Sequence, residues 1–236
     1  HWINVNFFTM HYGSYCRLMY MQARYYDPVI GRFYSNDPIG FRDVHSFNRY
    51  AYANNNPYKY TDPTGMCSND PKAAAADVCQ SASKLDTSQK GQDHIKKHEN
   101  DGYSKDYVHD DGAGNLTAGY GHKVTPSDNM TQGQHVPQSQ AEQLLQADLP
   151  SAEAVVENLV GNLPVSQNEF DALTDLAYNV GPVKLTSTNS PGLHKTIAAG
   201  DYKGIQKNLV YTKANGKQMP GLIDRSQARQ KLFSGK

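Results

Sequence analysis

The tyrosines divide this chain in two. Of its 16 tyrosines, 10 fall within residues 1–66, and they come in runs closed by Asp-Pro and Gly: "RYYDPVIGRFYSNDPIGF" and "RYAYANNNPYKYTDPTGM". Aromatic runs punctuated in this way predict short strands joined by turns. Sixty-six such residues are too few to close a β core by themselves, so the segment reads as the end of a larger β structure. After Cys67 the pattern changes. "CSNDPKAAAADVCQSASKLDTSQKGQ" is small and polar and reads as a linker over residues 67–87. Beyond it, apolar residues recur at helical spacing, so residues 88–236 are expected to be mostly helical. Ser139 with Glu142 forms a capping-box pattern ahead of "SQAEQLLQADL". Ser166 with Glu169 forms a second ahead of "FDALTDLAYNVG", where Gly181 ends the run. "HKTIAAGDYKGIQKNLV" and "RSQARQKLF" predict two further helices, and a hairpin is expected around residues 105–122.

Composition narrows the possible functions. Lys+Arg and Asp+Glu are balanced at 23 each, which gives no reason to expect a nucleic acid partner. No apolar run reaches the roughly 18 residues of a membrane span. The stretch "HWINVNFFTMHYGSYC" lacks a basic segment followed by an apolar core, so no signal peptide is expected there. Three cysteines, Cys16, Cys67 and Cys79, are too few for a disulfide scaffold, although Cys67 and Cys79 could pair in an oxidising compartment. No cluster has metal-ligand spacing, and no metal or cofactor is expected.

The chemistry concentrates in "HENDGYSKDYVHDDGAGNLTAGYGH". Glu99 ends a predicted helix, and "DGAG" is a turn between strand-like ends. A hairpin after the helix could return Asp111 and Thr117 toward Glu99. Two carboxyls across a cleft with a hydroxyl nearby is a glycosidase layout: one acid protonates the leaving oxygen and the other handles water. The acid needs burial or a neighbouring negative charge to stay protonated near neutral pH. Spacing alone leaves the bland reading open, in which a helix-end Glu and a turn Asp are merely solvated.

Two resemblances sharpen this. In residues 17–66, the paired Asp-Pro-x-Gly units, the "YxYxxNNP" between them and the closing "DPTGM" resemble the C-terminal end of an Rhs-repeat core. The resemblance implies a shell of repeats around a C-terminal toxin and self-cleavage at Met66–Cys67. The aspartyl pair would be Asp37 and Asp62, with Asp27 a weaker choice; Met66 departs from the family's usual Leu. Asp before Pro is also a common turn starter. In residues 90–233, Glu99 followed by "D-x-x-G-N-x-T-x-G-Y-G-H" from Asp111 to His122 resembles the catalytic signature of phage-type lysozymes, glycoside hydrolase family 24. "VSQNEFDALTDLAYNVG", "LHKTIAAGDYKGIQKNLV" and "PGLIDRSQARQKLF" follow in that family's order.

The lysozyme resemblance implies an α+β fold, a mostly helical domain with a small β-hairpin lobe, preceded here by the β-rich Rhs fragment. It implies hydrolysis, with inversion, of the β-1,4 bond between N-acetylmuramic acid and N-acetylglucosamine. Glu99 would be the general acid, Asp111 would deprotonate the attacking water, and Thr117 would hold that water. Inversion implies carboxyls ~6.5–9.5 Å apart. The Glu99-to-Asp111 gap is longer than in short family members, so "NDGYSKDYVHD" is expected to bulge; this makes Asp110 a rival to Asp111. Ser226 and Arg229 depart from the family's usual Arg and Glu. Tyr120 and His122 read as structural or cleft-lining, and Tyr178 and Asn179 as packing or substrate contacts. Together the resemblances imply a secreted effector of the type VI kind that acts on peptidoglycan in a target cell's periplasm, inside an Rhs shell and with an immunity protein as partner. A lytic transglycosylase and a non-catalytic wall-binding module are the alternatives.

Overall fold

The computed structural model describes residues 18–21, 23–37, 48–62, 65, 79–99, 105–111, 114–214 and 216–235. Expectations that concern Met66, Cys67 or Cys16 lie outside these residues. Cys79 is disulfide-bonded.

The tyrosine-rich segment forms an antiparallel meander of β1 (Met19–Met21), β2 (Arg24–Asp27) and β3 (Arg32–Phe33). Asp27 closes the β2–β3 turn, its Oδ1 accepting from the Val29 amide at 2.8 Å, with Gly31 at φ +67° completing the reversal. Tyr26, Phe33 and Tyr52 pack edge-on and tilted, with centroids 4.4 to 5.9 Å apart. The second aromatic run differs from the strands expected of it. Ala53, Asn54 and Asn55 all take positive φ, in a left-handed turn. Two of these three residues are Asn, which tolerates that region better than most side chains.

The helical part begins before α1. Residues 79–87, expected as linker, bridge Gln80 to Val165 and bury Ala82 and Leu85 in the helical core. The elements that follow are α1 (Gln89–His98), then β4 (Lys105–Asp110), β5 (Leu116–Gly119) and β6 (His122–Lys123) as one antiparallel sheet. Next come α2 (Gln138–Val160), α3 (Gln167–Val180), α4 (Pro191–Ala198) and α5 (Tyr202–Asn208). The hairpin of β7 (Lys213–Ala214) and β8 (Lys217–Gln218) leads into α6 (Pro220–Phe233). The β4–β5 register shifts between Lys105 and His109, so the strand bulges.

Two helix expectations fail. Ser139 is not a cap: α2 starts at Gln138, with Pro137 in the capping position. The helix runs through Pro150. Burial of Leu149 on one side of the proline and Ala152 on the other outweighs the ~3 kcal/mol that proline costs a helix interior. "HKTIAAGDYKGIQKNLV" is two helices, broken where Gly200 takes φ +59° and Asp201 caps α5 by accepting from the Gly204 amide at 2.9 Å. The Ser166–Glu169 capping box and the Gly181 stop are both present.

Two cores result. One joins Ile95 of α1, Val108 and Ala118 of the sheet, and Leu145 and Leu149 of α2. The other joins the C-terminal half of α2 to α3, α4, α5 and α6. At about 34 Å, a 23-residue helix is long enough for α2 to serve both. At the centre lies α3, buried without a break from Asn168 to Ala177.

Besides the capping Glu169, two carboxylates sit inside that buried run, Asp171 and Asp175, one helical turn apart and therefore on one face. Both hold α1. Asp171 accepts from the Ser88 backbone amide at 2.9 Å and from its hydroxyl, at the head of α1. Asp175 accepts from Arg225 Nε and Nη2 at 3.0 and 2.7 Å and from Arg229 Nε at 2.6 Å, and His94 of α1 lies 3.4 Å away. Burial opposes ionisation of Asp175, but the charges of Arg229 and Arg225, with the His94 contact, win and hold its carboxyl far below the usual range. The close approach of α1 to Asp171 requires Gly91. A Cβ there would stand 2.7 Å from the Asp171 carboxyl carbon and 2.8 Å from Thr87 Cγ2.

Gly91→Ala should lower stability in denaturant titrations, because overpacking costs roughly 1–3 kcal/mol and exceeds the helix propensity gained. Gly221→Ala, with no atom within 4 Å of the added carbon, should leave stability unchanged or raise it slightly. Asp175→Asn should destabilise by about 3–5 kcal/mol, because two buried cations lose their counter-charge. The wild-type contribution of Asp175 is complete above an unfolded pKa of about 4 and is lost as pH falls toward its depressed folded pKa. Acid melts of Asp175→Asn should therefore be flatter with pH than those of the wild type.

Candidate active site

Glu99 is the C-cap residue of α1, its amide donating to Ile95 O at 2.9 Å. Ile95 is fully buried in the sheet-side core, so the end of the helix is fixed on that core. The Glu99 side chain keeps 23% exposure. Its Oε1 accepts from Arg225 Nη1, and the same guanidinium holds Asp175. Its Oε2 faces the β5–β6 turn, where a Cβ on Gly121 would stand 3.3 Å away. Gly121 has φ +89°, so the lack of a side chain serves both the turn and the carboxylate. Burial raises the Glu99 pKa, and the Arg225 cation only partly reverses this. Tyr178 covers the same region: its hydroxyl donates to Tyr120 O at 2.9 Å, and its own pKa is pushed up by burial and by the carboxylates of Asp148 and Glu99.

Asp111 and Thr117 lie on the β4–β5 hairpin of the sheet whose next turn backs onto Glu99. Asp111 is exposed at the end of β4. It accepts from the Asn115 backbone amide at 3.1 Å through Oδ1 and from the Asn115 side chain at 2.9 Å through Oδ2. Its own amide donates to Asn115 O at 3.0 Å, so the loop is closed by one residue pair. Asp110, the rival, is also exposed, and its Oδ1 takes the Gly114 amide at 3.3 Å. Thr117 is half-buried in β5, directly opposite His109 in β4. Its Oγ1 lies 3.0 Å from His109 Nε2.

The remaining expected site residues carry structural contacts. Tyr120 is 1% exposed within the core, its hydroxyl accepting from Gln138 Nε2 at 3.2 Å. His122 is buried between two carboxylates, with Nδ1 3.0 Å from Asp148 and Nε2 3.4 Å from Asp128, and so ties β6 to α2. Asn179 accepts from Arg229 Nη2 at 3.0 Å. Ser226 both donates to and accepts from the Tyr211 backbone at 3.0 Å, while Arg229 joins the Asp175 network; each thus has a packing role of its own. A cavity of about 730 Å³ adjoins the site; its wall includes His98, Met219, Leu222 and Arg225 but none of Glu99, Asp111 and Thr117. Burial, then the neighbouring His94, lowers the His98 pKa to about 4. Among the described residues there is no group of three or more potential metal ligands, and no helix is long and apolar enough to cross a membrane.

Sequence reasoning missed Asp175, Arg225 and His109. The first two had a signal: Asp175 falls in a helix apolar on several faces, and Arg225 and Arg229 are four apart, on one face of α6. His109 was visible by counting outward from the turn, Asp111 with Asn115, Asp110 with Leu116, His109 with Thr117.

The N-terminal segment gathers a second set of carboxylates. Arg24 is 2% exposed, its guanidinium 3.7 Å over the Phe33 ring. Its Nη2 lies 2.9 Å from Asp37 Oδ2 and 3.2 Å from Asp62 Oδ2, so both side chains meet on one nitrogen. Its Nε donates to Gly65 O and its Nη1 to Arg49 O at 3.0 Å. Asp27 remains in its turn.

The endolysin of Acyrthosiphon pisum secondary endosymbiont phage 1 is 35% identical over 126 residues, 51% of this chain and 81% of that protein. The endolysin of Escherichia coli O157:H7 phage FAHEc1 superposes with a TM-score of 0.54 at 28% identity, covering 63% of this chain and 93% of that one. The muramidase domain of SpmX from Asticaccaulis excentricus gives 0.51 at 27% identity, covering 62% and 96%. A shorter match is to the tRNA nuclease WapA of Bacillus subtilis, 46% identical over 56 residues, which are 23% of this chain and 2% of that protein. The phage lysozyme family model matches residues 98–229. With more than half its length matched, and Glu99 within the match, the chain belongs to the phage lysozyme family.

Proposed function

We propose that this member of the family is a muramidase that cleaves the β-1,4 bond between N-acetylmuramic acid and N-acetylglucosamine, inverting the anomeric centre. The observation that carries the reading is the contrast between two carboxyl environments: Glu99 is shielded, with a raised pKa, while Asp111 is exposed and tethered by Asn115. A raised pKa suits a general acid, which must hold its proton until the glycosidic oxygen leaves. An exposed, oriented carboxylate suits a base that works through water. Glu99 protonates the leaving oxygen, Asp111 deprotonates the attacking water, and Thr117 holds that water. Tyr120, His122 and Asn179 support the cleft from behind.

The tyrosine-rich segment is the end of an Rhs core, and the lytic domain is its toxin. The short match to a nuclease, a protein of different activity, fits a carrier segment shared by unlike domains. Asp37 and Asp62, joined on Arg24 beside the Gly65 carbonyl, are the pair that cuts Met66–Cys67. The released domain is delivered as a type VI effector and acts in the periplasm of a target bacterium, and the producing cell is protected by an immunity protein that covers the cleft.

Purified peptidoglycan digested with wild-type protein should yield reducing N-acetylmuramic acid ends in mass spectra. Glu99→Gln should lose roughly 100-fold or more of the rate, as removal of a general acid does. Anhydro-sugar ends would point to a transglycosylase, and equal, product-free binding by both proteins to a wall-binding module. For the upstream segment, intact-mass spectrometry of the expressed wild-type chain should find a fragment that begins at Cys67, and Asp62→Asn should stay whole. Cleavage that persists in Asp62→Asn would remove Asp62 from the pair.

A further inference from the structure

Two of the three groups that meet the His109 ring nitrogens have fixed hydrogen-bonding roles. Its Nδ1 lies 3.2 Å from the Tyr107 carbonyl oxygen, which can only accept. Its Nε2 lies 3.0 Å from Lys105 Nζ, an ammonium that can only donate. The ring is therefore the tautomer with hydrogen on Nδ1 and a lone pair on Nε2. That lone pair is also 3.0 Å from Thr117 Oγ1. With no hydrogen on Nε2, the hydrogen bond between the two is donated by the Thr117 hydroxyl, which shares that lone pair with Lys105. Its other acceptor among the described residues, the His109 carbonyl oxygen, is at 3.5 Å, a much weaker position.

We infer that His109 is a positioning residue that takes up the Thr117 hydroxyl hydrogen and so turns Thr117 into an acceptor toward the attacking water. The inference rests on the muramidase reading of Asp111 and Thr117. Its consequence is geometric. A water between an Asp111 carboxylate and a Thr117 oxygen that can only accept gives one hydrogen to each. Both of its lone pairs are then free, and one can face the anomeric carbon. In the step, the water oxygen bonds that carbon, the bond to the leaving glycosidic oxygen breaks, Glu99 passes its proton to that oxygen, and one water proton goes to Asp111. Without the His109 acceptor the hydroxyl can rotate and donate to the water, which draws the water's lone pair away from the sugar.

The test compares full-length wild type, His109→Phe, His109→Gln, Thr117→Val and the His109→Phe/Thr117→Val double variant on soluble peptidoglycan fragments, with a thermal melt of each. His109→Phe should lower kcat roughly tenfold or more, the scale of a misoriented reactant, with KM unchanged. His109→Gln, whose carbonyl oxygen can accept in place of Nε2, should recover most of that loss. The double variant should be no slower than Thr117→Val, because both changes remove one device. Wild-type kcat in His109→Phe alongside a slow Thr117→Val would overturn the His109 role and leave the muramidase reading standing. So would an additive loss in the double variant, a loss confined to KM, or a loss tracking a lowered melting temperature that Gln fails to rescue. Wild-type kcat in Thr117→Val would instead overturn the assignment of Thr117 and, with it, this inference.

Discussion

A single buried carboxylate organises the lytic domain. Asp175 sits in a helix with no exposed face between Asn168 and Ala177, where an isolated charge is costly. It is tolerated because α6 supplies Arg225 and Arg229, both buried, and α1 brings His94 alongside. The same Arg225 reaches onward to Glu99. Glu99 is thus positioned by a chain of charges running from α3 through α6 to the end of α1. Neither α1 nor α6 could shift by a turn without leaving a charge in the interior.

Asp171 completes the arrangement at the other end of α1. With its head held on Asp171 and its tail on Asp175 through two bridges, α1 has little freedom along its axis. The sheet then needs only to pack on Ile95 to bring its turns to the carboxylate. Gly121 allows that approach because a side chain there would press on Glu99 Oε2. Specific placement of one carboxyl therefore draws on a central helix, a terminal helix and one turn glycine. These belong to segments far apart in sequence.

Much of this could be read beforehand. Local signals worked where the deciding force was local: the Ser166–Glu169 capping box, the Gly181 stop, the hairpin around "DGAG" and the bulge ahead of it. The motif from Asp111 to His122 identified the family without any coordinates. Other local readings failed. Ser139 does not cap α2, because the helix already begins at Gln138. Asn-rich "YANNN" turns left-handed where aromatic alternation suggested a strand. Asp175 and Arg225 each left a signal, but their pairing with one another and with Glu99 did not, because ion pairs between residues 50 and 126 positions apart leave no periodic trace.

Pro150 has a mechanical meaning. It falls between Leu149, the last α2 residue in the sheet-side core, and Ala152, the first in the helical core. Lacking an amide hydrogen, it leaves the Gln146 carbonyl without its usual helical donor. The long strut joining the two lobes is therefore weakest against bending at the one place that neither lobe grips on both sides. A load that pushed the lobes apart would find its give there, flexing the strut while each end kept its packing.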